Sequence, residues 1–212
     1  MQINLRNGLH AAIWGRDLIF FDARTGTYQM MAGAAAATGA TVIGSTLVVQ
    51  DDSFVAFMRE QNMLGEPGAN IETAPPSRPT RSLLTTLPSA GPTHIRAIIK
   101  AYGDMAMLYV GRPLPFLLAH ARVSIRHSSS GDKVALAQAL ERAYPWLPLQ
   151  GVCVFRSFML MRLLSRAGIC SPRWVFGVRT WPFHAHCWVQ DGDIVLTDHA
   201  ESLLRYTPIF AA

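Results

Sequence analysis

The chain has 212 residues, half of them apolar, which is enough to bury a core in one domain or two small ones and excludes a chain too polar to fold. Its formal net charge of +5 comes mainly from arginine, Lys100 and Lys133 being the only lysines; this favours an acidic or carboxylate-bearing partner, and no lysine-arginine block points to nucleic acid. Three scattered cysteines argue for a reducing compartment, and residues 1–10 lack the apolar run of a signal peptide, so a cytoplasmic location is expected.

In chain order, residues 9–14 alternate, residues 17–22 (DLIFFD) form a strong short strand, and residues 27–31 (TYQMM) complete a three-stranded meander with turns at 15–17 and 24–26. Residues 30–50 carry no charge, a length that raises the question of a membrane span. Alanine, glycine, serine and threonine add little transfer energy, however, and glycines interrupt any single helix, so short buried helices are expected and no membrane association. Residues 52–63 read as an amphipathic helix capped by Ser53 or Asp52, with Phe54, Phe57 and Met58 on one flank. Prolines 67, 75, 76, 79, 88 and 92, among Gly, Ser and Thr, leave no apolar period, so residues 67–92 are expected to be a linker or an ordered crossing loop. Helical spacing returns at 94–109, at 114–123 and at 133–143, the last capped by Asp132 or Ser130 and stopped by Pro145. These three helices are expected to brace a further helix that begins near Cys153. The expected organisation is residues 1–66 as one domain, 67–92 as linker and 93–212 as a second domain.

Residues 149–199 carry the chemistry. Gly151 loosens the backbone ahead of Cys153, and residues 154–167 contain no Pro or Gly, so Cys153 falls at or near a helix N-terminus, with Gly168 as the left-handed cap. The positive end of the helix dipole and its unpaired N–H groups favour a thiolate there and could hold a developing oxyanion. Residues 173–178 and 184–189 read as strands, Asp191-Gly192 as a hairpin signal and 194–198 as an antiparallel return. Two-residue alternation puts His184, His186 and Trp188 on one face and Ala185, Cys187 and Val189 on the other. His186 can then face the thiol with Trp188 as a wall, and Asp198 can orient the imidazole. The expected constellation is Cys153 as nucleophile, His186 as base and then acid, and Asp198 as orienter.

Plainer readings stand beside this one. A cysteine in a helix is often a small hydrophobe, and Cys170 and Cys187 are read that way. His184 and His186 on one strand face could share a metal ion, but no C-x-x-C or H-x-x-x-H spacing supplies further ligands, so no metal is expected. His184 is placed in a pocket wall or core, His199 in a surface turn, and Asp191 and Asp193 in a solvated hairpin.

Cys153, Arg156-Ser157, Leu163-Leu164, Arg166, Gly168-Ile169, Gly177-Val178-Arg179, Pro182-Phe183, Ala185-His186, Trp188-Val189, Gly192 and Asp198 together resemble the lasso peptide biosynthesis B protein family, whose core is a transglutaminase-like cysteine peptidase. The resemblance covers roughly the last sixty residues tightly. Cys187 departs from it: the family more often has Ala there, and strand alternation makes the cysteine tolerated packing on the face away from His186. Residues 17–31 (DLIFFDARTGTYQMM) resemble, in pattern, the winged-helix leader-recognition domain that such proteins carry fused or as a separate chain.

The resemblance implies an α+β chain with an N-terminal winged-helix-like leader-recognition domain and a C-terminal papain-like, transglutaminase-like cysteine peptidase domain. Its implied substrate is a lasso precursor peptide, bound through the leader, with strand 27–31 and helix 52–63 as the expected contact. Its implied partner is an asparagine-synthetase-like lasso cyclase. No cofactor is expected: some family members are thought to need ATP, but no Walker-type G-x-x-x-x-G-K-[ST] occurs. Two alternatives stay open, an acyltransferase or amidase of the same fold and a precursor-binding module whose triad is unused.

Overall fold

The computed structural model describes residues 1–44, 46–66, 74–83, 92–122, 132–147 and 153–212, so the expectations at Gly151, Pro67, Pro88 and Ser130 lie outside the described residues. Two compact units form. The first combines Met1–Pro76 with Phe176–Ala185 and Tyr206–Ala211, and the second combines Ser77–Val175 with His186–Arg205. The first therefore includes two late segments that chain order alone groups with residues 93–212.

In the first unit β1 (Gln2–Asn4) is followed by the meander β2 (Leu9–Trp14), β3 (Asp17–Asp22) and β4 (Thr27–Met31), whose bounds are those the alternation indicates. Pairing of Trp14 with Asp17 and of Asp22 with Thr27 fixes the register, with Gly15 (φ 59°) and Gly26 (φ 74°) in left-handed positions that a side chain disfavours. Every residue of β3 is buried because both faces of the sheet are covered. Leu9, Ala11, Leu18 and Phe20 face one core with Leu47, Val55 and Met58, while on the other face Phe21 meets Tyr28, Phe176 and Phe210 at ring distances of 4.7, 5.5 and 5.6 Å.

Residues 30–50 correct the expectation of short buried helices. Only α1 (Ala34–Thr38) is helical, closed by Gly39 at φ 60°; β5 (Thr41–Ile43) and β6 (Thr46–Val48) follow, in a sheet of order β1-β6-β5. The β-branched TVI and TLV runs on either side of Gly44 suit an extended backbone better than a helix. Among the described residues no helix is long and apolar enough to cross a membrane. Next, α2 (Asp52–Glu60) buries Val55 and Met58; its cap is Asp51, not Ser53 or Asp52, because the Asp51 carboxylate accepts from the N–H groups of Ser53 (2.9 Å) and Phe54 (3.3 Å).

The second unit begins within the proline-rich stretch, where β7 (Arg81–Ser82) pairs in parallel with β10 (Ile194–Val195). Arg81 grips the Asp193 carboxylate with Nε at 2.8 Å and Nη2 at 3.1 Å, and Ser82 Oγ accepts from Ala200 N–H at 2.7 Å. Helices α3 (Pro92–Leu108), α4 (Leu114–His120) and α5 (Lys133–Ala143) precede α6 (Cys153–Arg166), and Asp132 caps α5 through the N–H groups of Val134 and Ala135. Helix α6 is buried almost all round, with α3 and α5 against it, which explains its run of Phe, Met and Leu. Arg162 and Arg166 of α6 both clasp Asp104 of α3, at 2.7 and 2.6 Å, and Gly168 (φ 74°) ends the helix.

Strands β8 (Arg173–Arg179), β9 (His184–Asp191) and β10, then α7 (Ala200–Leu203) and β11 (Thr207–Ala211), complete the chain. The five-stranded sheet has the order β11-β8-β9-β10-β7, with β9 and β10 antiparallel about Gly192. Asp193 is exposed as expected, but Asp191 is not simply solvated: its carboxylate is ion-paired with Lys133 and accepts from Ser171 Oγ at 3.2 Å.

Candidate active site

Cys153 is the first residue of α6, so its thiol sits where the helix N–H groups lack intrahelical partners. One turn later Ser157 projects from the same face of the helix. Strand β9 brings His186 and Cys187 against that face, and the chain leaving β10 brings Thr197 and Asp198. These residues, with Arg156 and with Tyr144 from the 3-10 turn after α5, line a cleft of about 210 Å³.

The imidazole of His186 bridges two partners. Its Nε2 meets Asp198 Oδ1 at 3.3 Å, and its other partner is the Cys153 thiol, which by hydrogen bond and charge favours the protonated ring. Asp198 is itself held, since Oδ2 accepts from Thr197 Oγ1 at 3.0 Å, and Thr197 Oγ1 accepts from Val189 N–H at 3.1 Å. The trio Cys153, His186 and Asp198 is thus brought together in one cleft, though 44 residues of chain lie between the first and the last.

Charge follows from these contacts. A hydrogen bond from Cys187, outweighing the cost of burial and joined by the His186 hydrogen bond and charge, lowers the Cys153 thiol to about 4. Burial pulls the His186 imidazole down, but Asp198 and Cys153, by hydrogen bond and by charge, more than offset it and raise it to about 9. Burial acts against ionisation of Asp198 too, yet His186 and the nearby Arg156 guanidinium keep its carboxyl below the usual range. Of the two thiols that share a hydrogen bond, only one ionises readily. Cys187 is 1% exposed and its thiol is pushed well up by burial and by Cys153, whereas Cys153 is half-buried beside the imidazole, so the negative charge resides on Cys153. At neutral pH the site therefore holds a thiolate–imidazolium pair, a nucleophile with a proton donor next to it.

Cys187 overturns the expectation drawn from alternation. Its carbonyl accepts from Ser157 Oγ at 3.4 Å and its Sγ lies 3.8 Å from the same oxygen, so at the start of β9 both His186 and Cys187 meet α6. Trp188 is fully buried and stacks behind His186, with ring centroids 6.3 Å apart, instead of walling the cleft; its Nε1 donates to Gln190 Oε1 at 2.9 Å. His184 is exposed, and its Nδ1 meets the Tyr206 hydroxyl at 3.0 Å. Cys170 is exposed. Among the described residues no three His, Cys, Asp or Glu side chains are grouped so as to hold a metal ion.

Besides Cys187, four lining residues were not foreseen as such: Tyr144, Arg156, Ser157 and Thr197. Ser157 could have been found, because it stands four residues after Cys153 and so on the same helix face. Thr197 adjoins Asp198 and could have been suspected as its hydrogen-bond donor. Tyr144 carries no sequence signal; it enters through the turn that Pro145 imposes on the end of α5.

Arg156 lies over the Tyr144 ring at 5.7 Å and is ion-paired with Glu141 of α5, so one wall of the cleft is a fixed cation. No curated protein and no solved structure matches the chain. A family model does, over residues 104–211, which run from the aspartate of α3 that clasps Arg162 and Arg166 through the whole of the cleft to the last strand. With half of its length so matched, and with a thiol, an imidazole and a carboxylate gathered inside the matched half, the chain belongs to the transglutaminase-like superfamily, a fold compatible with cysteine peptidases and acyltransferases.

Proposed function

We propose that the chain is a cysteine peptidase that removes the leader from a ribosomally made lasso precursor. The reading is supported by the thiolate–imidazolium pair of Cys153 and His186, steadied by Asp198, in a cleft whose surrounding residues resemble those of lasso peptide biosynthesis B proteins. Cys153 attacks the carbonyl carbon at the leader–core junction, and the N–H groups that open α6 hold the developing oxyanion. His186 gives its proton to the departing core amine as the C–N bond breaks. Water then attacks the thioester, His186 takes its proton, and the leader leaves as an acid while the thiolate is restored. The freed amine passes to an asparagine-synthetase-like cyclase.

On the same reading the first unit recognises the leader, as a winged-helix-like module. Strand β4 lies at the edge of the β2-β3-β4 sheet, where an extended leader can add as a further strand, its backbone supplying affinity and its side chains selectivity. Holding the leader makes encounter with the thiol effectively intramolecular.

The test is incubation of the protein with a lasso precursor, with and without ATP, and weighing of the products. A free leader acid and an intact core peptide are expected, and Cys153→Ala is expected to abolish both. A leader released only as an amide of an added amine would identify an acyltransferase instead. Processing that survives Cys153→Ala would end the peptidase reading and leave a binding module.

A further inference from the structure

We propose that Cys187 is a positioning residue for the Cys153 sulfur: its S–H donates a hydrogen bond to the Cys153 thiolate and holds that anion in place between turnovers. The proposal rests on the peptidase reading for its role in turnover, but the hydrogen bond itself does not.

The geometry that carries it is the contact between β9 and α6 at Cys187 and Ser157. Ser157, one turn beyond Cys153, donates to the Cys187 carbonyl at 3.4 Å, which fixes the Cys187 backbone above that face of the helix. The Cys187 sulfur then lies 3.8 Å from Ser157 Oγ, and the sulfur of Cys153, one turn earlier on the same helix, lines the same cleft as a second acceptor. A thiol is a weak donor, and a hydroxyl at 3.8 Å is a weak acceptor, so the anionic sulfur is the better partner. Burial keeps Cys187 protonated and therefore a donor. A partly buried anion that loses a donor bears the desolvation cost itself.

During turnover the two acceptors exchange. Once the Cys153 sulfur has bonded to the acyl carbon it is a neutral thioester sulfur and a poor acceptor, and the Cys187 S–H turns to Ser157 Oγ. When water adds and His186 takes its proton, the C–S bond breaks with its electron pair on sulfur, and Cys187 is again placed to receive the departing thiolate. Cys187 transfers no proton at any step. The other titratable or charged groups about the thiol are His186 on β9, Asp198 after β10, Arg156 on α6 with Glu141 on α5, Tyr109 in the turn after α3 and Tyr144 in the 3-10 turn. All of these remain when Cys187 is changed, so a difference between variants at position 187 reports on that residue's donor.

The experiment is alkylation of the full chain by iodoacetamide across the pH range, read by mass on the peptide carrying residue 153 so that the exposed Cys170 does not contribute. Cys187→Ala and Cys187→Val remove the donor; alanine is common at this place in the family the sequence resembles, and valine keeps the volume. Both are expected to move the midpoint of Cys153 alkylation up by about one pH unit or more. Cys187→Ser, which keeps a donor, is expected to return it most of the way. An unmoved midpoint in the alanine and valine variants, or an equal displacement in all three, would overturn the proposal. A shifted midpoint in a protein that cleaves no precursor would sink the peptidase reading and leave this hydrogen bond standing; cleavage without a shift would do the reverse.

Discussion

At the scale of single residues the site is an ion pair whose two members depend on each other. On the proposed peptidase reading, the Cys153 thiolate takes up a proton below about 4 and His186 loses above about 9 the one it would give to the leaving amine, so precursor cleavage is expected to be level across neutral pH and to fall on both sides. These limits belong to the pair. His186→Ala removes a hydrogen bond and a positive charge from beside the sulfur, which moves the acid limb upward and removes the proton donor together. A fall in kcat of at least about a hundredfold is expected. Asp198→Asn leaves a hydrogen-bonding group in place but no charge to steady the imidazolium, so the alkaline limb should move downward while the acid limb stays nearer its original place. Cleavage rates measured across pH for the three proteins check this, and an alkaline limb unmoved in Asp198→Asn would separate that carboxylate from the imidazole's titration.

At the scale of elements, the helix caps and strand faces make quantitative demands. Asp51→Ala strips the acceptor from the two N–H groups that open α2 and is expected to lower the urea unfolding midpoint, more than the same change at Asp52, which is not the cap. His10 lies on β2 with its ring 4.6 Å from that of Phe210, and burial, against the pull of Asp22, lowers its imidazole to about 4. The unfolded chain takes up that proton near the ordinary value of 6.5 and the folded chain does not until about 4, so stability declines as pH falls through this window, by roughly 3 kcal/mol in all. His10→Phe, which cannot take the proton, should flatten the stability profile between those limits while leaving the steeper loss from carboxylates at lower pH.

The same elements show what residue pattern conveys and what it does not. Strands β2, β3 and β4 and helices α5 and α6 were legible because each combines a clear period with glycine or aspartate at its ends. The β5–β6 hairpin was hidden by neighbouring alanines that favour helix, and β7 is two residues long, ordered by the carboxylate of Asp193 and not by its own pattern. Cys153, His186 and Asp198 could be named from chain order and chemistry. The place of Cys187 could not, because it depends on its contact with Ser157 of α6, thirty residues earlier.

At the scale of the molecule, neither unit is one continuous stretch of chain. The buried face of β3 that carries Phe21 is covered by Phe176 and Phe210, which come from two segments more than a hundred residues further on, and Tyr28 of β4 meets Phe183 at 5.9 Å in the same way. A fragment ending at Pro76 therefore keeps the core around Leu18, Phe20, Leu47 and Met58 but uncovers Ile19 and Phe21, both fully buried in the whole chain. An aromatic side chain buries about 150–250 Å². At about 25 cal/mol per Å², exposing such a ring and the isoleucine beside it costs several kcal/mol, which is comparable with the whole stability of a unit this size. The expected result is that residues 1–76 alone show no cooperative thermal transition and bind a hydrophobic dye, while the full chain unfolds sharply. Phe21→Ala in the full chain should lose about 3–5 kcal/mol for the same reason. A fragment that melts as sharply as the intact protein would mean that the late segments cover the sheet without holding it, and Phe21→Ala should then leave the unfolding midpoint of the full chain almost where it was.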